Sequence, residues 1–273
     1  SYSNPNLQQI PARNKDLGPM IRSLFIPEKE HRWGCFDYSQ QEPRLVVHYA
    51  ATTEPICFDE SVSKIVDKFK DNTVDFHQTV ADMANISRTQ AKTINLGLFY
   101  GMGKAKLQAE LGLNTKQEAE ELFNTYHTNV PFVRDLMNYT SKTAQTSGSI
   151  GTLLGRRCRF TKWEPNQFGM HKPMEFEEAE RTYGRGRIRR AFTYKALNKL
   201  IQGSAADMTK KAMVDLYREG IIPHIQIHDE LDISVESDSQ AKKIIEIMEN
   251  AVSLEVPNKV DYESGKTWGE ING

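Results

Sequence analysis

The sequence predicts an α+β fold in which an antiparallel sheet is interrupted by a mostly helical insertion. Three observations carry this. Two short acidic strands, Cys35-Phe36-Asp37-Tyr38-Ser39 and Ile225-Gln226-Ile227-His228-Asp229-Glu230-Leu231, lie far apart in a chain of 273 residues. The stretch between them, from about Asp75 to Gln145, is helical in pattern. The order is thus strand, helices, paired strands and a helix, so two acidic strands in one sheet make the helical middle an excursion from a discontinuous first domain.

The elements follow from local signals. Ser1 to Pro27 is rich in Asn, Pro and Arg and reads as an extended, turn-punctuated lead-in. Trp33 to Tyr38 is a short strand, and Glu42 to Ala51 a helix with Pro43 in its first turn. Ser87-Arg88-Thr89-Gln90 has capping-box form and opens a helix that Gly101 and Gly103 close. Thr115-Lys116-Gln117-Glu118 opens another, with Leu122, Phe123 and Tyr126 at core spacing, and Pro131 begins a third. Gly148 to Gly155 predicts a β-hairpin, and Ser204 the cap of a helix running to Gly220. Two strands meet around His228 to Glu230, and Asp238 to Val252 is a closing helix.

Hydrophobic residues make up 38% and charged residues 26%, the balance of a soluble globular protein. No apolar run approaches the roughly 18 residues that span a bilayer. Ser1 to Pro11 is polar, so no secretory signal is expected. Cys35, Cys57 and Cys158 are scattered and odd in number, which fits a reducing compartment and no disulfide framework. A net charge of −1 predicts no general affinity for nucleic acid, but the charges segregate. Met174 to Glu180 carries four acids and no base, whereas Arg181 to Leu200 carries seven bases and no acid. Such a run is either a solvated face or a track for a phosphate backbone.

Both acidic strands place carboxylates where a chain normally buries hydrocarbon. A buried carboxylate is costly unless paired or bound to metal. If the strands are neighbours, Asp37 and Asp229 form a hard, oxygen-rich site suited to Mg²⁺. Arg88, Lys92, Leu96 and Tyr100 recur every four residues, a stripe about 18 Å long on one helix side. One end is cationic, the other apolar and aromatic. That matches an extended nucleoside triphosphate, with phosphates at Arg88 and Lys92 and base and sugar near Leu96 and Tyr100. The same residues also suit an amphipathic helix with a basic end and a buried Leu-Tyr face.

At these residues the chain resembles the family A (bacterial DNA polymerase I-like) DNA polymerases, particularly phage-type members. Asp37-Tyr38-Ser39-Gln40-Gln41-Glu42-Pro43-Arg44 is similar to the family's DYSQIELR motif. Arg88 through Gly101 is similar to RxxxKxxxFGxxYG, and His228-Asp229-Glu230 to the HDE hairpin. Gln202-Gly203-Ser204-Ala205-Ala206-Asp207 resembles QGTAAD, and Ser3 to Pro11 resembles SxDPNLQNIP. The closing Met248-Glu249-Asn250 to Trp268 also matches, so six ordered motifs cover nearly the whole chain.

The resemblance implies a palm at 1–48 and 190–273, helical fingers at 49–189, and no thumb. It implies transfer of deoxynucleotides to a primer 3′-hydroxyl with release of pyrophosphate. Asp37, Asp229 and the Tyr38 carbonyl would hold two Mg²⁺ ions, one activating the hydroxyl and one neutralising the triphosphate. Lys92 would stabilise the departing pyrophosphate, and Glu230 would be a supporting acid. Arg88, His77 and Gln40 would hold phosphates or the local backbone. Tyr100 would stack at the template position, Leu96 would lie at the nucleotide, and Glu42 would fill the space of a 2′-hydroxyl. Arg13, Asn198, Gln202 and His228 would sit at the primer–template duplex. The implied partners are primer–template DNA, deoxynucleoside triphosphates and a second chain or upstream region carrying thumb and exonuclease. The implied setting is the cytoplasm of a bacterial or phage-infected cell.

Several positions depart from the pattern. Gln41 and Pro43 replace the usual Ile and Leu, and Leu96 stands where Phe or Tyr is usual. Tyr194 stands where bacterial enzymes often carry Arg, and 181–190 resembles an insertion. Leu96 implies discrimination against dideoxynucleotides. The alternatives are a single-subunit RNA polymerase, which Glu42 and the HDE form oppose, a nuclease, which the triphosphate helix opposes, and a catalytically idle binding module.

Overall fold

The structure is a computed structural model that describes residues 10, 14, 16–70, 75–99, 104–167, 169 and 171–271. Helix α1 (Leu17–Arg22) precedes strand β1 (Arg32–Tyr38) and helix α2 (Gln41–Thr52). A helical series follows: α3 (Glu60–Lys70), α4 (Phe76–Ala84), α5 (Arg88–Phe99), α6 (Lys104–Leu111), α7 (Lys116–Asn129) and α8 (Pro131–Ser147). Then come β2 (Ser149–Gly151), β3 (Arg157–Arg159), β4 (Trp163–Pro165), α9 (Phe176–Tyr183) and β5 (Ile188–Arg190). The chain ends with α10 (Ala196–Arg218), β6 (Ile225–Ile227), β7 (Glu230–Val235), α11 (Asp238–Asn250) and β8 (Val260–Gly265). It is the α+β plan read from the sequence.

Two compact units emerge, 1–44 with 205–273, and 45–204. The chain crosses from one to the other inside α2 and inside α10.

The first unit is built on a four-stranded antiparallel sheet in the order β6-β7-β1-β8. The period-2 alternation of a strand sends Phe36 and Tyr38 to one face of β1 and Cys35 and Asp37 to the other. Phe36 faces Leu231 on one side and Tyr262 on the other, and stacks on the Tyr262 ring at 4.7 Å. Phe36 and Leu231 are fully buried, which is worth about 1.5–3 kcal/mol for each side chain. The Tyr38 hydroxyl donates to the Met248 carbonyl at 2.7 Å and ties α11 to this face. Gly34 is needed here, since a Cβ on it would lie 2.6 Å from Val235 Cγ2 and 3.0 Å from the Phe36 and Tyr262 rings. On the opposite face Trp33, Cys35, Ile225 and Trp268 form a buried cluster, with Phe25 edge-on to Trp268 at 5.3 Å.

The second unit is helical, with the β2–β3 and β4–β5 pairs beside it. Asp75 caps α4, accepting from the backbone N–H groups of His77 at 2.8 Å and Gln78 at 3.1 Å. The capping box at α5 forms as expected: Gln90 N–H donates to Ser87 Oγ at 3.2 Å and Ser87 N–H to Gln90 Oε1 at 3.0 Å. Thr115 caps α7, and Pro131 is the first residue of α8. Gly148, at φ +74°, ends α8 and leads into the expected hairpin.

Two expectations need correction. The lead-in is not extended as far as Pro27, because Leu17–Arg22 is helical. Helix α10 begins at Ala196 rather than at Ser204. Ser204 lies inside the helix with no exposure, its Oγ 2.7 Å from the Tyr49 hydroxyl and accepting from Leu153 N–H at 3.1 Å. Its hydroxyl is held by tertiary partners, which releases it from capping. No helix among the described residues is long and apolar enough to cross a membrane.

Candidate active site

The two acidic strands are neighbours. β1 pairs antiparallel with β7, and Asp37 stands directly opposite Glu230. Asp229 occupies the tight connection from β6 to β7, and its carbonyl accepts from Tyr38 N–H at 3.4 Å. On the other side of β1, Asp37 faces Asp261 of β8. The antiparallel pairing therefore gathers Asp37, Asp229, Glu230 and Asp261 at one end of the sheet.

The electrostatics follow from this crowding. One side of Asp37 is open to solvent, yet the atoms packed around the rest of it, then Asp229 and Asp261, push its pKa up to about 7. Asp229 is also raised, by burial first, with His228 opposing. Glu230 rises to about 8 through burial, Asp232 and Asp37, against a weaker pull from Arg22. Burial is the largest cause at all three, with neighbouring carboxylates adding to it at Asp37 and Glu230, while Lys259 Nζ lies 3.1 Å from Asp261 Oδ1. Hard carboxylate oxygens with the adjacent Tyr38 carbonyl are a fitting donor set for Mg²⁺.

The backbone on both sides of the pair is unusual. Gln40, three residues after Asp37, has φ +54°, and His228, next to Asp229, has φ +53°. Neither is glycine, so both turns carry left-handed strain of about 1–3 kcal/mol each. Gln41, at an unusual motif position, is buried, with its Nε2 3.3 Å from Thr209 Oγ1 and 3.4 Å from the Ala205 carbonyl. The sequence pattern alone did not show that an amide here ties α2 to α10. Glu42 is half-buried at the start of α2. Arg44 donates Nε to the Ser39 carbonyl at 2.9 Å and also bonds the Pro257 carbonyl, so it braces the turn after Asp37.

Within the second unit, α5 carries Arg88, Lys92 and Leu96 on successive turns. Lys92 is exposed and Leu96 half-buried. Arg88 Nη2 lies 2.6 Å from Asp75 Oδ2, and its Nε donates to the same oxygen at 2.7 Å. Burial alone would raise the Asp75 carboxyl, but Arg88 and the two capped N–H groups outweigh it and hold it low. His77 is buried, and burial keeps its imidazole below the usual range, helped by Lys92 and Arg88 and opposed by Asp75. Asn95 Nδ2 lies 3.1 Å from His77 Nδ1, and Asn95 Oδ1 accepts from the Tyr126 hydroxyl at 2.5 Å. The amide so oriented donates to Nδ1, which leaves the proton of neutral His77 on Nε2.

Asn198 and Gln202 are one turn apart on α10, half-buried and exposed respectively, and His228 is exposed. Arg13 and Tyr100 lie outside the described residues. The basic run is partly paired: Arg189 Nε donates to Glu164 Oε1 at 2.9 Å, and Arg185 lies 3.8 Å from Glu180. Sequence reasoning missed Asp75, Asn95, Asp232 and Asp261. Asp232 and Asp261 had a readable signal, since each sits at alternating spacing in a strand-like run, Glu230-Leu231-Asp232 and Asp261-Tyr262-Glu263.

Comparison with known proteins agrees with the motifs. The family model described as DNA polymerase family A matches residues 1–270. The DNA-directed DNA polymerase of Pseudomonas phage M6 is 36% identical over 310 residues, covering 100% of this chain and 43% of that protein. DNA polymerase I of Geobacillus stearothermophilus is 36% identical over 280 residues, covering 98% of this chain and 29% of its own length. Among solved structures, the POL domain of Pol1 from M. smegmatis, in complex with DNA primer-template and dNTP, superposes with a TM-score of 0.75 at 28% identity. That match covers 98% of this chain and 45% of the other. The chain thus spans less than half the length of these relatives. With its motifs in order and its two acidic strands paired in one sheet, the chain belongs to DNA polymerase family A.

Proposed function

We propose that this chain carries the catalytic part of a DNA polymerase, adding deoxynucleotides to a primer 3′-hydroxyl with release of pyrophosphate. The observation that supports it most is the pairing of β1 with β7, which sets Asp37 beside the Asp229–Glu230 turn. Asp37, Asp229 and the Tyr38 carbonyl are the groups that would hold two Mg²⁺ ions. Bound there, the ions would lower the pKa of the attacking hydroxyl and offset the charge of the triphosphate. Glu230, raised to about 8 in the metal-free chain chiefly by burial, is a supporting acid beside the pair.

The residues of α5 bind the incoming nucleotide. Arg88 offers its guanidinium fork to phosphate oxygens, and Asp75 fixes that fork beforehand. Lys92 supplies a compact positive charge to the leaving pyrophosphate. Neutral His77 and Gln40 support phosphates or backbone, and Leu96 with Tyr100 borders sugar and base. Glu42 excludes a ribonucleotide by filling the space of a 2′-hydroxyl. Arg13, Asn198, Gln202 and His228 contact the primer–template, through groove acceptors and shape. A thumb and exonuclease supplied by a further region or chain, and a cytoplasmic setting, belong to the same proposal.

The test is single-turnover extension of a labelled primer–template by the purified chain at high concentration, with and without Mg²⁺. Wild type extends only with Mg²⁺, prefers deoxy- over ribonucleotides, and loses at least about a hundredfold in rate as Asp229→Ala. Extension by Asp229→Ala at the wild-type rate would reject the proposal.

A further inference from the structure

One row behind the opposed Asp37 and Glu230 stand Cys35 and Asp232, which with Glu230 make a second group of donors. Cys35 on β1 stands directly opposite Asp232 on β7, and Glu230 precedes Asp232 by two residues on the same face. The Cys35 thiol and the two carboxylates each bring a ligand atom, and these three atoms lie within 4.8 Å of one another. Asp232 has no solvent exposure, and neither of its carboxylate oxygens accepts a hydrogen bond. The Trp33 indole N–H and the Cys35 thiol are close enough to favour its charge, yet the Trp33 Nε1 also lacks a partner.

A buried carboxylate with both oxygens unpartnered calls for a proton or a cation. Arg22 supplies opposing charge to Asp232 and Glu230, but its guanidinium lies over the Trp268 ring at 4.4 Å and its Nε is buried without a hydrogen bond. It does not bond the Asp232 oxygens. A divalent ion among the three donors would satisfy both Asp232 oxygens at once.

We propose that Cys35, Glu230 and Asp232 form a second cation site, separate from the Asp37–Asp229 pair, that takes a borderline-soft divalent ion of the zinc class. The donor set decides the class. A thiolate with two carboxylates suits Zn²⁺ or Co²⁺, whereas Mg²⁺ rejects sulfur and demands oxygen ligands. Three protein ligands leave a fourth tetrahedral position for water. Binding forms the metal–sulfur and metal–oxygen bonds and releases the Cys35 thiol proton and the Glu230 carboxyl proton to solvent. Trp33, Ile225 and Trp268 pack around Cys35, and this dry wall strengthens the attraction between ion and ligands. The site shares Glu230 with the acidic cluster of the proposed function, but its test reads metal binding and not nucleotide transfer, so the two can fail separately.

Metal-free protein is titrated with Co²⁺, following the thiolate-to-cobalt charge-transfer absorption. Wild type gains this band with about one equivalent of Co²⁺. Zn²⁺ displaces it and millimolar Mg²⁺ does not. Cys35→Ser abolishes the band, and Asp232→Asn weakens Co²⁺ binding at least about tenfold. Circular dichroism confirms that each variant is folded, and Asp232→Asn carries the test if Cys35→Ser is not. Absence of the band in wild type overturns the proposal, as does its survival in Cys35→Ser, which would assign it to Cys57 or Cys158. Displacement by Mg²⁺, or unchanged affinity in Asp232→Asn, overturns it as well.

Discussion

Removing a carboxyl from the acidic cluster is expected to stabilise the metal-free fold. The substitution is Asp37→Asn, which keeps shape and deletes charge. In the folded chain the Asp37 carboxyl rises from its ordinary 3.8 to about 7, through burial first and then Asp229 and Asp261. At 1.36 kcal/mol per pH unit that rise corresponds to about 4 kcal/mol against the ionised fold. Asp37 is exposed on one side, so solvent screening reduces the expected gain to about 1–2 kcal/mol. The sign follows from proton binding. Between about pH 4 and 7 the folded state holds the proton more tightly than the unfolded state, so stability falls as pH rises through the folded pKa. The advantage of Asp37→Asn is therefore largest above about pH 7, shrinks as pH falls, and vanishes below about pH 4. Urea denaturation of both proteins without divalent ions, at several values between these limits, measures it. Addition of Mg²⁺ stabilises wild type and not the variant. A variant equally or less stable above pH 7, with no pH trend, would refute the reasoning.

Other substitutions probe other links. Asp75→Ala removes both the cap of α4 and the fixed partner of Arg88; it costs about 1–2 kcal/mol in thermal or urea unfolding and raises the KM for deoxynucleotide, which steady-state kinetics reads. Gly34→Ala drives a Cβ to 2.6 Å from Val235 and destabilises by about 1–3 kcal/mol, seen as a lower denaturation midpoint with unchanged slope. Leu96→Tyr increases acceptance of dideoxynucleotides relative to deoxynucleotides in single-turnover incorporation; equal ratios in wild type and variant would disprove a role for Leu96.

Much of this was legible in the sequence because the signals were local or strongly patterned. The capping box at Ser87 and Gln90, the Pro131 helix start and the hairpin at Gly148 depend on a few adjacent residues, and all formed. The motif acids could be paired across about 190 residues only because carboxylates in apolar strands need each other or a cation. What escaped was set by tertiary context. Ser204 has the composition of a cap but is held by Tyr49 and Leu153 inside a longer helix. Gln41 owes its place to α10, and Asp75 serves a helix end and an arginine thirteen residues away at once. Asp261 sits in a readable strand-like run, but that β8 pairs with β1 and so brings it opposite Asp37 is set by tertiary pairing.

The decisive measurement is Mn²⁺ binding by electron paramagnetic resonance, with Mn²⁺ standing in for Mg²⁺, on wild type, Asp37→Asn and Asp229→Asn in the presence of deoxynucleoside triphosphate. Wild type should bind Mn²⁺ beyond what free triphosphate takes, Mg²⁺ should compete for it, and each variant should lose at least about tenfold in affinity. Variants that bind Mn²⁺ as wild type does would show that these two carboxylates do not share the ions.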